Sequence, residues 1–99
     1  MEASIGHVHL KVSDLTRSET FYRDVLGFTP TMRYGDKISF LAFDSEYHHH
    51  LALNVAQTEG ASPPPPNTPG LLHFAVLFPT RDALVEASRR VVSRGIEIF

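Results

Sequence analysis

Residues 5–12, IGHVHLKV, alternate: Val8, Leu10 and Val12 fall on one side, and His7, His9 and Lys11 on the other. A period of two predicts a strand with one buried face. The period then changes. Over residues 13–27, SDLTRSETFYRDVLG, the apolar positions Leu15, Phe21, Tyr22, Val25 and Leu26 recur at helical spacing. Ser13, Asp14 and Thr16 supply start signals, Thr16 and Glu19 have the spacing of a capping box, and Gly27 marks the stop. FTPTMRY, KISFLAFD and YHHHLALNV follow as three strand-like runs, separated by Gly35-Asp36 and by Asp44-Ser45-Glu46. Tight hairpins between them complete a β-α-β-β-β module over residues 1–55.

Residues 56–69 hold most of the prolines and sustain neither period, so they are expected to be a linker. The first pattern then begins again. LLHFAVLFP (71–79) reads as a strand, and TRDALVEASRRVVSRG as a helix capped by Thr80, with Leu84, Ala87, Val91 and Val92 as its buried stripe and Gly95 as its stop. IEIF (96–99) starts a further strand. His73 sits in the second copy as His7 sits in the first, roughly 66 residues apart, so the chain reads as a weak internal repeat. The expected class is α+β: one βαβββ module, an incomplete β-α-β module over 70–99, and a curved mixed sheet with helices on its outer face.

Composition narrows the chemistry. Hydrophobic residues make up 42% of the 99, which is enough for a modest single-domain core. The net charge of −2 comes without a basic block, so nucleic acid is not an expected partner. With no cysteine, thiolate metal sites and disulfides are excluded. No apolar run approaches a membrane span, and the start lacks a secretory signal pattern, so the chain is expected to be cytoplasmic.

Strand parity locates the candidate residues. His7 and His9 lie opposite the apolar side of the first strand. In YHHHLALNV, the apolar set His49, Leu51, Leu53 and Val55 leaves His48, His50, Ala52 and Asn54 on the other side. In the fifth run, Leu72, Phe74, Val76 and Phe78 form the bulky side and His73 lies opposite. If the two modules form one curved sheet, His7, His50 and His73 converge in its concavity. Imidazole is a common ligand for zinc and non-haem iron, and an incompletely ligated ion leaves positions for a substrate with adjacent oxygens. A strand histidine taken alone is ordinarily a half-buried group hydrogen-bonded to a neighbour. The shared face and the repeat separate these three from that ordinary role. Tyr22 falls in the helix stripe, Asp14 reads as a helix cap, and no phosphate loop or nucleophile elbow is present.

GHVHLKVSDLTRSETFYRDVLGF resembles the opening of the vicinal oxygen chelate superfamily, which includes glyoxalase I, extradiol ring-cleaving dioxygenases, and fosfomycin- and bleomycin-resistance proteins. RYGDKISFLAF, YHHHLALN, SPPPPNTPGLLHFAVLFPTRDAL and RGIEIF are similar to short two-module proteins of the catechol 2,3-dioxygenase type. The resemblance implies a divalent metal, Fe(II) first and Mn, Ni or Zn as alternatives, held by a histidine from the first strand of each module and a glutamate from the last strand of the second. These histidines map onto His7 and His73, and His50 matches a further ligand position of glyoxalase-like members. It also implies ring cleavage of a catechol-like small molecule, with His50 or His48 as acid/base. The alternatives are a glyoxalase-like isomerase or lyase, and a resistance-type module that binds a small molecule without turnover. The sequence departs from the family after GIEIF: Glu97 falls too early to be the family glutamate. The chain is therefore expected to be a fragment that needs another chain to complete its site, with an open sheet edge that favours a homodimer or other self-association.

Overall fold

The structure, a computed structural model, describes residues 2–98, which divide into two units between residues 61 and 62. The first unit contains β1 (Val8–Lys11), α1 (Leu15–Thr20) continuing into a π-helical turn (Phe21–Val25), β2 (Thr29–Tyr34), β3 (Ile38–Ala42) and β4 (Leu51–Asn54). The strands form one sheet in the order β1-β4-β3-β2, with β2, β3 and β4 antiparallel in turn and β1 parallel to β4. The βαβββ order expected of residues 1–55 is the order observed.

Each face of the sheet has its own character. Leu10, Leu53 and Ser39 lie in one cross-strand row, and Ser39 donates its hydroxyl proton to Glu19 Oε2, so this row faces α1. Leu15, Val25, Phe28, Leu41, Leu51, Leu53 and Val55 are buried and make up most of the core. Period-two alternation places the next row, His9, Ala52 and Phe40, on the opposite, open face. Leu26 N–H donates to Phe21 O and Phe28 N–H to Tyr22 O, both reaching back further than an α-helical bond. Gly27, at φ 85°, makes the left-handed turn that ends the helix and sends the chain into β2.

Two local expectations are corrected. Asp14 is the N-cap its position suggested, its carboxylate accepting from Arg17 N–H at 3.0 Å, but the box expected between Thr16 and Glu19 does not form: Glu19 faces the sheet. The strand expected over 47–55 begins only at Leu51; Tyr47, His48 and His50 form bends ahead of it. Leu51 is the first residue of this run with an apolar side chain to bury, and the ladder starts there.

The second unit contains α2 (Arg81–Ser93). Thr80 caps it as expected, accepting from Ala83 N–H at 3.1 Å. Ala87 is buried, but Leu84 and Val92 of the expected buried stripe are 51% and 61% exposed. The strand expected at 71–79 forms no ladder among the described residues, and residues 96–98 form none either; Phe99 lies outside them. The second module thus shows only the helix of its expected β-α-β order. Alternation assigns side chains to faces, but a strand exists only through hydrogen bonds to a neighbour, and this unit presents no such partner.

Candidate functional site

Parallel pairing of β1 with β4 brings the histidines of the first unit together. Val8 N–H donates to His50 O at 3.0 Å, which ties the start of β1 to the residue just before β4. One residue earlier on each segment, the rings of His7 and His49 meet, with centroids 4.5 Å apart. His49 also lies edge-on to Phe40, with centroids 5.0 Å apart, and Phe40 belongs to the open face. His49 therefore lies over the open face and not toward the helix. Strand parity failed here because residues 47–50 precede the ladder, and alternation holds only within one.

His50 is turned elsewhere. Its ring stacks on Phe43, with centroids 3.7 Å apart, and Phe43 in turn meets the buried ring of Phe28. His50 Nδ1 accepts from Phe43 N–H at 3.3 Å, and Nε2 lies 3.7 Å from Asp44 Oδ2. The accepting Nδ1 leaves the proton on Nε2 in the neutral ring. His48 is exposed, packs against Tyr47 with centroids 4.2 Å apart, and pairs Nδ1 to Nδ1 with His49. His9 sits on the open face, where its Nε2 meets Asn54 Nδ2 at 3.2 Å. His73 lies exposed in the irregular run of the second unit.

Thr31, the extra residue of a bulge in β2, holds this loop in place: its hydroxyl donates to His48 O at 2.8 Å. His50 N–H donates to Leu41 O at 2.9 Å and fixes the other end. Burial, and then the neighbouring charges of His48, His7, His9 and His50, lower the pKa of His49, so its ring favours the neutral form. Tyr47, Thr31 and His49 contribute to the site without having been singled out in the sequence. The bulge has no sequence signature, though Asp44-Ser45-Glu46 did mark a turn just ahead of the loop.

As a metal donor, His7 is suitable: it is exposed, and its imidazole makes no hydrogen bond among the described residues. A complete donor set is not assembled. Among the described residues no three His, Cys, Asp or Glu side chains converge closely enough to hold an ion. What the first unit presents is a sheet face bordered by His7, His9 and His49, with the half-buried Phe40 beneath His49 and Ala52 fully covered.

A βαβββ module with histidines at the mouth of its open face is the architecture of paired-module metalloenzymes. The chain belongs to the Glyoxalase/Bleomycin resistance protein/Dioxygenase superfamily, which residues 4–98 match. It is 38% identical over 94 residues to the catechol-2,3-dioxygenase of Bacillus subtilis (strain 168), a match covering 95% of this chain and 33% of that protein. It is 32% identical over 93 residues to biphenyl-2,3-diol 1,2-dioxygenase 3 of Rhodococcus globerulus, covering 94% of this chain and 48% of the relative. The chain thus spans from a third to about half the length of these relatives. The crystal structure of a lactoylglutathione lyase from Agrobacterium tumefaciens shares the fold, with a TM-score of 0.60 at 23% identity over 97% of this chain and 73% of that one. The relatives it matches are enzymes, and the family together with its dioxygenase members implies a divalent metal. No helix among the described residues is long and apolar enough to cross a membrane.

Proposed function

We propose that this chain carries part of an extradiol ring-cleaving dioxygenase of the catechol 2,3 type, acting in the cytoplasm on a small aromatic substrate with vicinal hydroxyls. The observation that carries this reading is the 38% identity to a catechol-2,3-dioxygenase across 95% of the chain, His7 included in the span. On this reading His7 and His73 each supply a ligand to a divalent metal, Fe(II) in the dioxygenase, with His50 as a further candidate. His48 or His50 supplies the acid/base group. The metal provides a point of chelation for the two substrate oxygens. The first unit binds and orients: the half-buried Phe40 offers an apolar surface to an aromatic ring, and the loop over residues 43–50 walls one side. Open edges at β1 and β2 make self-association part of the proposal.

The test is oxygen uptake with catechol by the chain loaded anaerobically with Fe(II), alongside elemental analysis of the bound metal. Ring opening with stoichiometric O₂ consumption, abolished in His7→Ala and His73→Ala, is the expected result. Turnover of a methylglyoxal-glutathione adduct without O₂ would replace it with a glyoxalase-like isomerase, the reading the shared fold with a lactoylglutathione lyase keeps in view. Small-molecule binding that survives both a chelator and His73→Ala would instead make it a resistance-type binding module.

A further inference from the structure

Strand parity placed His49 with the apolar set of its run, yet it is the ring that touches His7. We propose that His49 is a positioning residue that fixes the orientation of the His7 imidazole. The significance of His7 rests on the proposed function; the packing that would orient it does not.

His7 precedes β1, is exposed, and among the described residues makes one ring contact, with His49 at 4.5 Å and an interplanar angle of 47°. An exposed imidazole with no hydrogen bond and no neighbour samples several rotamers, and each one presents its ring nitrogens in a different direction. A ligand or a substrate contact needs one of them. His49 is suited to impose it because its own ring is held on several sides. Phe40 lies beneath it edge-on at 5.0 Å, His48 meets it Nδ1 to Nδ1, and the Tyr47 ring is 5.9 Å away.

The backbone around it is fixed as well. Thr31 Oγ1 donates to His48 O at 2.8 Å, His50 N–H donates to Leu41 O at 2.9 Å, and His50 O accepts from Val8 N–H at 3.0 Å. The last of these bonds ties the residue after His49 to the residue after His7, so the two backbones stay in register and each ring remains within reach of the other. Gly6 permits the close approach: a Cβ there would lie 3.2 Å from Tyr47 Oη and press against the loop. The contact with His7 needs a flat ring at position 49, and His49→Phe keeps the ring contacts with Phe40 and Tyr47 while giving up the Nδ1 pairing with His48, so it should preserve the contact and His49→Ala should remove it.

The experiment is carbon-13 relaxation of the His7 ring in the metal-free chain, with His73, an exposed imidazole of the second unit, as the reference for a free ring. In the wild type the His7 ring should be markedly more ordered than that of His73. His49→Ala should lower the order to the His73 level, and His49→Phe should restore it. A wild-type His7 as mobile as His73 overturns the proposal without any variant, and so does an ordered His7 that is unchanged in a folded His49→Ala. Cobalt(II) uptake, measured separately, bears on the proposed function: a chain that binds no metal removes that reading, while the ring-order result still decides this one.

Discussion

Glu19 keeps a carboxylate in the seam between α1 and the sheet. Its residue is 8% exposed, and Oε2 accepts from the fully buried Ser39 hydroxyl on β3 and from Arg33 Nε on β2 at 3.0 Å. Burial pushes its pKa up, but the hydrogen bonds from Ser39 and Arg33 and the charges of Arg33 and Arg23 outweigh that and hold it below the usual carboxylate value. One acid therefore clamps the helix to two strands. Glu19→Gln, which keeps the volume and removes the charge, should lower stability by about 1–2 kcal/mol at neutral pH in urea denaturation, since hydrogen bonds to a charged group are the stronger kind. The pH dependence follows from the depressed folded-state pKa. The carboxylate's contribution is fully present above the ordinary unfolded value of about 4.3 and is lost as pH falls through the folded one. The gap between wild type and Glu19→Gln should therefore close on acidification, and a gap that persisted undiminished in strong acid would exclude this role. Helical spacing said nothing of it: at the sequence level Glu19 had an equally good use as a capping-box acid, and only the register of β2 against β3 sets Arg33 and Ser39 side by side to receive it.

At the scale of elements, the two candidate caps of α1 are separable. The Asp14 carboxylate accepts from Arg17 N–H and Asp14 O from Ser18 N–H, whereas Thr16 lies inside the helix with an exposed side chain. Asp14→Ala should cost about 1 kcal/mol, the usual worth of an N-cap, and Thr16→Ala should cost little or nothing, both read by thermal or urea unfolding. The reverse order would restore the capping box. The elements of the first module were legible because each combined a clean period with a stop: IGHVHLKV gave way to a helical stripe, and Gly27 ended it. The HHH segment was not, because three identical rings carry no period and lie ahead of the ladder, where the bends of the chain and not strand alternation decide where they point. His7 was legible as a candidate from its place on the polar side of the alternating run IGHVHLKV. His49 was not, since its contacts with His7 and Phe40 arise where the chain bends before β4. The run LLHFAVLFP read as a strand on side-chain pattern alone, yet a partner edge is what makes a strand, and no sequence pattern can show whether one is at hand.

For the whole molecule, apolar burial is unequally divided. Among the described residues, every buried hydrophobic residue except Ala87 lies in the first unit, which also contains the sheet. The second unit has a helix of 13 residues whose Leu84, Val85 and Val92 are open to solvent along a groove with Arg81 and Arg89 beside them. A helix of that length with Ala87 as its one buried side chain is marginal in water, since nucleation is costly and little burial offsets it. Its Thr80 cap adds only about 1 kcal/mol. Hydrogen exchange of the intact chain should therefore divide at the unit boundary. Amides in the central strands β3 and β4 should exchange only through global opening, while those of α2 should exchange orders of magnitude faster, through local fraying. Protection of α2 equal to that of β4 would mean that its apolar face is covered in solution. Concentration would then identify the cover: protection that rises with protein concentration points to a second copy, and protection independent of it points to the chain's own first unit.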